Sequence, residues 1–163
     1  MIYVIGHKNP DTDTVIASLA YSHLMGDEYK PVVSGNLNAE TKFVLEKFNI
    51  SEPEKIDSVS LEDKFFLVDH NEDTQRLDGI TEENVVGILD HHKIDFCNSC
   101  PINIIVKPYG SSCTIIAEMF FDRKIELDKN LAGALLSALL SDTVILKSPT
   151  CTKVDVEIAN KLA

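Results

Sequence analysis

Histidine and aspartate residues recur at the points where apolar segments of this sequence end. Imidazole and carboxylate groups together are ligands for first-row divalent metal ions, and a carboxylate-rich set favours manganese or magnesium. The pattern therefore predicts metal-dependent chemistry. The residues with this placement are His7, Asp11 and Asp13 after residues 1–5, Asp69 after 65–68, Asp90, His91 and His92 at the end of 85–90, and Asp142 after 135–140.

The number of candidate ligands indicates more than one metal ion. A single ion that keeps an open coordination position does not need six protein ligands. Two ions about 3.5–4 Å apart, sharing a bridging carboxylate, are the arrangement of many phosphoester and phosphoanhydride hydrolases. Because histidine disfavours magnesium alone, manganese is the first choice, two ions per chain, with cobalt, zinc or magnesium as substitutes. The six candidate ligands are His7, Asp11, Asp13, Asp69, His91 and Asp142.

Single residues of this set also have purely structural explanations. Asp11 or Asp13 alone suits a turn or a helix cap. Asp142 could be an acid at the end of a helix, although the negative helix end disfavours that placement without a cation. His91 and His92 are neighbours at a strand end and point to opposite faces, so at most one can be a core histidine. The coincidence of the whole set at the ends of apolar segments favours the metal interpretation.

The hydrophobic pattern predicts an α/β domain with a doubly wound, mostly parallel sheet flanked by helices. Apolar runs of strand length alternate with helical periodicity, and the continuous runs are typical of strands buried on both faces. Such sheets bind ligands beyond the carboxyl ends of their strands, where most candidate ligands lie. Strands are predicted at 2–5, 32–33, 64–69, 85–90 and 102–106, and helices at 14–25, 38–48, 112–122, 128–141 and 151–162.

Composition limits the classes of function. The chain has 163 residues, which fits one domain, and a formal net charge of −11. This charge argues against a nucleic-acid partner, because phosphate backbones are bound by lysine and arginine. Bound metal ions would reverse the local field, so a small phosphorylated substrate remains compatible. With no long apolar stretch and no signal-like N-terminus, the sequence predicts a cytoplasmic protein without a membrane partner.

The ordered motifs resemble a known family. His7-Lys-Asn-Pro-Asp11-Thr-Asp13 together with Asp90-His91-His92 is similar to the DHH phosphoesterase superfamily. Within it, the chain resembles the manganese-dependent (family II) inorganic pyrophosphatases along its whole length. This resemblance implies hydrolysis of inorganic pyrophosphate to two phosphates by a hydroxide that bridges two manganese ions, and a homodimer. The further motifs that carry it are Val68-Asp69-His70-Asn71-Glu72 and Ser141-Asp142-Thr143 followed by Lys147–Thr152.

The resemblance also implies a division of the metal ligands. His7, Asp11 and Asp69 would bind one manganese ion. Asp69 would bridge to the second ion. The ligands of that second ion would be Asp13, Asp69, His91 and Asp142.

Four further residues would act around the metal ions. His92 would face the substrate, as a hydrogen-bond donor or acid toward the leaving phosphate. Asp90 would orient a neighbouring histidine, because an imidazole ligand needs its other nitrogen held. The resemblance also implies that His70 and Asn71 support the metal ligands without binding metal themselves.

The domain organisation of the family leads to a further expectation. Its members have a second, C-terminal domain that closes over the cleft and brings the basic residues that grip pyrophosphate. Residues 1–163 are therefore expected to be the DHH-type metal-binding catalytic domain, without that second domain and only weakly active alone. The apolar segment 102–106 is a candidate edge strand for pairing with another copy.

Two alternatives stay open at this point. The first is a DHH phosphodiesterase that acts on short oligonucleotides or cyclic dinucleotides, which would share the Asp-His-His site. The second is a non-catalytic module that binds metal or mediates dimerisation. Hydrolysis rates on a dinucleotide and on pyrophosphate separate the enzymes from each other, and metal binding without hydrolysis would identify the module.

Overall fold

A six-stranded parallel sheet and five α-helices make up the computed structural model, which describes residues 1–163. The predicted α/β class and parallel sheet are confirmed. None of the helices is both long and apolar enough to cross a membrane. The strands are β1 (Ile2–Ile5), β2 (Tyr29–Val33), β3 (Glu54–Lys55), β4 (Phe65–Val68), β5 (Val85–Asp90) and β6 (Asn103–Val106). The helices are α1 (Thr12–Met25), α2 (Ala39–Lys47), α3 (Ser112–Arg123), α4 (Lys129–Asp142) and α5 (Lys153–Leu162).

The order of the strands in the sheet is β3-β2-β1-β4-β5-β6. The chain runs from β1 outward to β3 through α1 and α2, returns to β4, and then moves in the opposite direction to β6. Because parallel crossovers are right-handed, the connections after β4 and β5 must cross the other face of the sheet. Those connections, 69–84 and 91–102, contain irregular chain and two 3-10 turns but no α-helix.

Side chains alternate along the strands and supply two apolar clusters, one on each face. Val4 and Phe66 belong to the larger cluster, to which all five α-helices contribute. Ile5 and Leu67 belong to the smaller cluster, which contains no residue of an α-helix. All four residues of β4 are buried, which explains the continuous apolar run of its sequence.

Caps set several helix boundaries. Helix α1 begins two residues before the predicted start at 14, because the Asp11 carboxylate accepts a hydrogen bond from the backbone N–H of Thr14 at 2.9 Å. Asn38 caps α2 in the same way, through the N–H of Thr41 at 2.7 Å. Strand β3 was not predicted from the sequence, because Glu54 and Lys55 are both polar and exposed.

Asp155 fastens α5 to the loop that precedes α3. Its buried carboxylate accepts hydrogen bonds from the N–H of Gly110, the hydroxyl of Thr114, and both the N–H and the hydroxyl of Thr152. The backbone of Gly110 lies so close to Thr143 and Asp155 that a Cβ on Gly110 would be 2.7 Å from Cγ2 of Thr143 and 3.1 Å from Oδ2 of Asp155. Through Thr143, the packing around Gly110 also supports the end of α4, where the candidate ligand Asp142 lies.

Asp155→Ala is expected to lower the free energy of unfolding by about 3 kcal/mol, because it leaves several donors in and around a buried site without an acceptor. Urea denaturation followed by circular dichroism measures this change. Asp27→Ala, at an exposed turn residue, is the control and should change stability by less than about 0.5 kcal/mol. Equal stability of the two variants would contradict the anchoring role of Asp155.

Candidate metal centre

The candidate ligands meet at the carboxyl edge of the sheet, where the strand order reverses. β1 and β4 are neighbours, and the chain leaves them in opposite directions, so a crevice opens beyond their ends. His7 follows β1 and Asp69 follows β4, while His91 follows β5. A cavity of about 290 Å³ lies here, and none of the residues that line it is hydrophobic. Its lining includes His7, Asn9, Asp11, Asp69, Glu72, Gln75, His92, Lys93 and Asp142.

Asp69 lies at the centre of this cluster. Its Oδ2 is 3.6 Å from Nε2 of His7, and its Oδ1 is 3.3 Å from Nε2 of His91. The hydroxyl of Thr14 donates to Oδ2 at 2.7 Å, and that of Ser112 donates to Oδ1 at 2.9 Å. The backbone of Asp69 is left-handed, with φ of 62°, a conformation that aspartate tolerates better than most residues. This turn directs the two carboxylate oxygens toward two different groups of side chains.

Two sets of ligand atoms lie at the Asp69 carboxylate, and the atoms of each set are within 4.8 Å of one another. The first is His7, Asp11 and Asp69, and the second is Asp13, His91 and Asp142. The structure thus brings together all six residues that the sequence suggested as ligands. The first set has the expected members, whereas the second lacks Asp69, whose Oδ1 nevertheless lies 3.3 Å from Nε2 of His91. Their role as metal ligands stays a prediction. A third set of the same kind contains Asp69, His91 and His92.

His91 provides a test of whether a cation fits this centre. Its Nδ1 lies 3.0 Å from the carbonyl oxygen of Tyr109, to which it can donate its proton. Its buried Nε2 has no hydrogen-bond partner, yet it lies 3.3 Å from oxygens of both Asp69 and Asp142. Fixing one ring nitrogen as a donor leaves the other to act as a ligand. A divalent cation between Nε2 and these oxygens would satisfy all three groups, so the residues fit a metal ion.

Protons must balance the negative charge when no metal is bound. Burial lowers the pKa of His91, but the adjacent Asp69 carboxylate and the other surrounding carboxylates raise that pKa to about 10. Burial and the charge of Asp69 raise the pKa of Asp142 to about 6. Burial, followed by the charges of Asp69 and Asp142, raises the pKa of Asp13 well above its usual value. The histidines of the cluster therefore do not fully neutralise its carboxylates, and the remaining negative charge is energetically costly.

Asp13 is held by the first turn of α3. Its carboxylate accepts hydrogen bonds from the hydroxyl of Ser111 at 2.6 Å and from the N–H groups of Ser112 and Cys113 at 2.7 and 3.1 Å. Oriented N–H groups at a helix N-terminus stabilise a negative charge. These supporting residues were missed by sequence reasoning, because serines at the start of a helix already suit capping.

His92 borders the cavity and is fixed by Asp90. The buried Asp90 Oδ1 lies 2.8 Å from Nδ1 of His92 and accepts from the N–H groups of His91 and His92 at 2.8 and 3.2 Å. The side chain of Asn71 donates to Oδ2 of Asp90 at 2.6 Å. Burial raises the pKa of Asp90, but the donors on His92 and Asn71 bring it below its usual value. Asp90 therefore stays ionised and orients the His92 ring.

His70 and Asn71 lie directly after Asp69 and have different surroundings. Nδ1 of His70 lies 2.9 Å from the carbonyl oxygen of Val68, and its buried Nε2 has no hydrogen-bond partner. Burial lowers the pKa of His70 to about 4, so its ring is neutral at pH 7. The Asn71 amide also donates to the carbonyl of Lys93 and accepts from the N–H of Asp95. Asn71 thereby joins the connection after β4 to the connection that carries His92.

Comparison with other sequences agrees with the motifs. The profile described as "DHH family, N-terminal domain" matches residues 1–139. The manganese-dependent inorganic pyrophosphatase of Methanocaldococcus jannaschii is 45% identical over 171 residues, which cover 100% of this chain and 55% of that protein. A "probable manganese-dependent inorganic pyrophosphatase" of Oceanobacillus iheyensis is 46% identical over 164 residues, covering 98% of this chain and 53% of that protein. The chain thus spans about half the length of the curated relatives it matches.

Two solved structures share the fold. A crystal structure of a candidate family II inorganic pyrophosphatase from Methanococcus jannaschii superposes with a TM-score of 0.94 at 44% identity, covering 100% of this chain and 55% of that one. An exopolyphosphatase-related protein from Bacteroides fragilis has a TM-score of 0.76 at 17% identity, covering 99% and 51%, which shows a common fold alone. With the profile matching residues 1–139 and the Asp-His-His triplet at the end of β5, the chain belongs to the DHH family.

Proposed function

We propose that residues 1–163 form the metal-binding half of a manganese-dependent inorganic pyrophosphatase, which hydrolyses pyrophosphate to two phosphates. The observation that carries this proposal is the position of Asp69, whose two carboxylate oxygens face two separate sets of candidate ligands. Relatives named as manganese-dependent inorganic pyrophosphatases support the choice of metal and substrate.

In this proposal two manganese ions are held at the centre. His7, Asp11 and Asp69 would bind one, and Asp69 would bridge to the other, completed by Asp13, His91 and Asp142. When bound, the ions would polarise phosphoryl oxygens and activate water for attack on phosphorus. The protein contributes rigidity, because hydroxyls and backbone N–H groups already hold the carboxylates of Asp69 and Asp13. Such pre-organisation is what fixes ligand geometry at catalytic metal sites.

His92 is the candidate acid for the leaving phosphate. Its hydrogen bond to Asp90 raises the pKa of His92, so a larger fraction of its rings is protonated near pH 7. Because Asp90 occupies Nδ1, Nε2 is the nitrogen that can donate to an oxygen in the cavity. We therefore assign His92 the proton transfer and Asp90 its orientation.

The grip on pyrophosphate is proposed to come from a further domain outside residues 1–163. Two lysines lie near the cavity, and both are paired with carboxylates. Lys8 contacts Asp78, and Lys93 contacts Glu72. A substrate with several negative charges needs additional cations, and the relatives are long enough to hold another domain of similar size.

We also propose a cytoplasmic homodimer that pairs through β6. This strand lies at the edge of the sheet, and its Ile104 is 44% exposed. All the cysteines of the chain are free thiols, which suits a reducing compartment. A mass near that of one chain in light scattering would contradict the dimer.

Manganese affinity is expected to rise by about tenfold per pH unit between about pH 6 and pH 8. The reason is that the pKa of His91 is about 10 without metal, so binding must displace its proton throughout this range. Calorimetric titrations in two buffers with different ionisation enthalpies measure the affinity and the number of protons released. Constant affinity with no proton release would contradict His91 as a ligand.

Substitutions should separate metal binding from proton transfer. Asp69→Asn is expected to abolish the binding of two manganese equivalents. His92→Gln should keep both equivalents but lower kcat on pyrophosphate by about 100-fold. A suitable host for the rate measurement is a chimera in which residues 1–163 replace the matching segment of the Methanocaldococcus jannaschii pyrophosphatase.

His23→Gln is the control for these assays, because His23 lies on the exposed side of α1 and outside the cavity. Its rate of phosphate release should equal that of the unsubstituted chimera. Equal rates for all four proteins would refute the proposed function. Faster hydrolysis of a dinucleotide than of pyrophosphate would instead favour a phosphodiesterase, and manganese binding without any hydrolysis would favour a non-catalytic module.

A further inference from the structure

Glu40, in the first turn of α2, links the two chain segments that carry three of the candidate ligands. Its Oε1 accepts hydrogen bonds from the hydroxyl of Thr12 at 2.5 Å and from that of Ser141 at 2.6 Å. Thr12 lies between Asp11 and Asp13, and Ser141 directly precedes Asp142. One carboxylate oxygen thus joins the start of α1 to the end of α4.

The contact with α1 is part-buried, although Glu40 itself is exposed. Thr12 is 1% exposed, and its hydroxyl also lies 3.2 Å from the hydroxyl of Thr41, which is fully buried. Glu40 and Thr41 are neighbours in α2, so the first turn of that helix docks on the segment between Asp11 and Asp13. Glu40 belongs to none of the three sets of candidate ligands. Its bonds to hydroxyl groups indicate a supporting role instead.

The end of α4 is the part of the centre that most needs such support. Asp142 is the last residue of α4, where the helix dipole disfavours a negative charge. The next turn is strained, because Val144, Ile145 and Leu146 all have left-handed backbones with φ of 51°, 53° and 61°. Branched side chains rarely adopt this conformation. Neither the helix end nor the turn after it therefore holds the Asp142 carboxylate in a favourable position.

We propose that Glu40 is a positioning residue of the metal centre. Through Thr12 and Ser141 it sets the separation between the Asp11–Asp13 segment and Asp142, which both contribute to the cluster. This role rests on the proposed function, because it concerns the geometry of the same two-ion site. Supporting partners of metal ligands typically change metal affinity by about 10–100-fold when they are removed.

Manganese titration of residues 1–163 tests this role with three substitutions. Glu40→Ala should weaken manganese binding by about tenfold, because both hydroxyls lose their acceptor. Glu40→Gln keeps an oxygen that can accept from both hydroxyls, so its affinity should equal that of the unsubstituted chain. Glu46→Ala, at an exposed residue of the same helix, is the matched control and should bind as the unsubstituted chain does.

Two further measurements separate positioning from general stability. The electron paramagnetic resonance spectrum of the loaded protein should change from that of a coupled manganese pair toward isolated ions in Glu40→Ala but not in Glu40→Gln. The metal-free melting temperatures of Glu40→Ala and Glu46→Ala should agree. Ser141→Ala removes one exposed donor and keeps Glu40, and it should weaken binding by about threefold even if Glu40→Ala folds poorly.

The outcomes distinguish this role from the proposed function. Tight binding of two manganese ions that Glu40→Ala leaves unchanged would overturn the positioning role alone. Equal weakening in Glu40→Ala and Glu40→Gln would also overturn it, because the charge and not the hydrogen bonds would then carry the effect. Absence of manganese binding by the unsubstituted chain would refute the proposed function, and the positioning role with it.

Discussion

The repulsion among buried carboxylates at one edge of the sheet is the constraint on which the site depends. Asp13, Asp69 and Asp90 are each at most 2% exposed. Buried charges are destabilising unless donors or cations compensate them. The fold supplies fixed donors to Asp13 and Asp90, whereas His91 Nε2 and the oxygens facing it lack hydrogen bonds to one another. The uncompensated part of the cluster is therefore the part where a cation fits.

The topology divides the site between the two faces of the sheet. Residues at the ends of helices, Asp13 and Asp142, approach from the face that carries all five α-helices. Asn71, His92 and Lys93 belong to the irregular connections that right-handed crossovers send over the other face. The hydrogen bonds of Asn71 to Asp90 and Lys93 tie these connections together. Asp13 and Asp142 thus rest on helices, whereas His92 and Lys93 rest on a hydrogen-bonded pair of loops.

The sequence predicted those parts of the site that depend on local pattern. Asp69 and His91 could be found because each ends a continuous apolar strand, and parallel strands deliver their ends to one edge. Asp142 could be suspected from its place after the apolar run 135–140 and from its motif, but its approach to His91 depends on how α4 packs against α1. Glu40 and Ser112 carried no signal, because polar residues in a first helical turn are ordinary and their partners are distant in sequence.

The charge of the cavity has a consequence for the order of binding in a pyrophosphatase built on it. Asp11, Asp69 and Asp142 line the crevice, and the nearby Lys93 is already paired with Glu72. A phosphate ligand approaching the metal-free crevice therefore meets net negative charge at short range, where screening by salt is weak. Bound divalent ions invert that field. Because the carboxylates that repel phosphate are also the candidate metal ligands, the proposed function requires metal to load before a phosphate substrate binds.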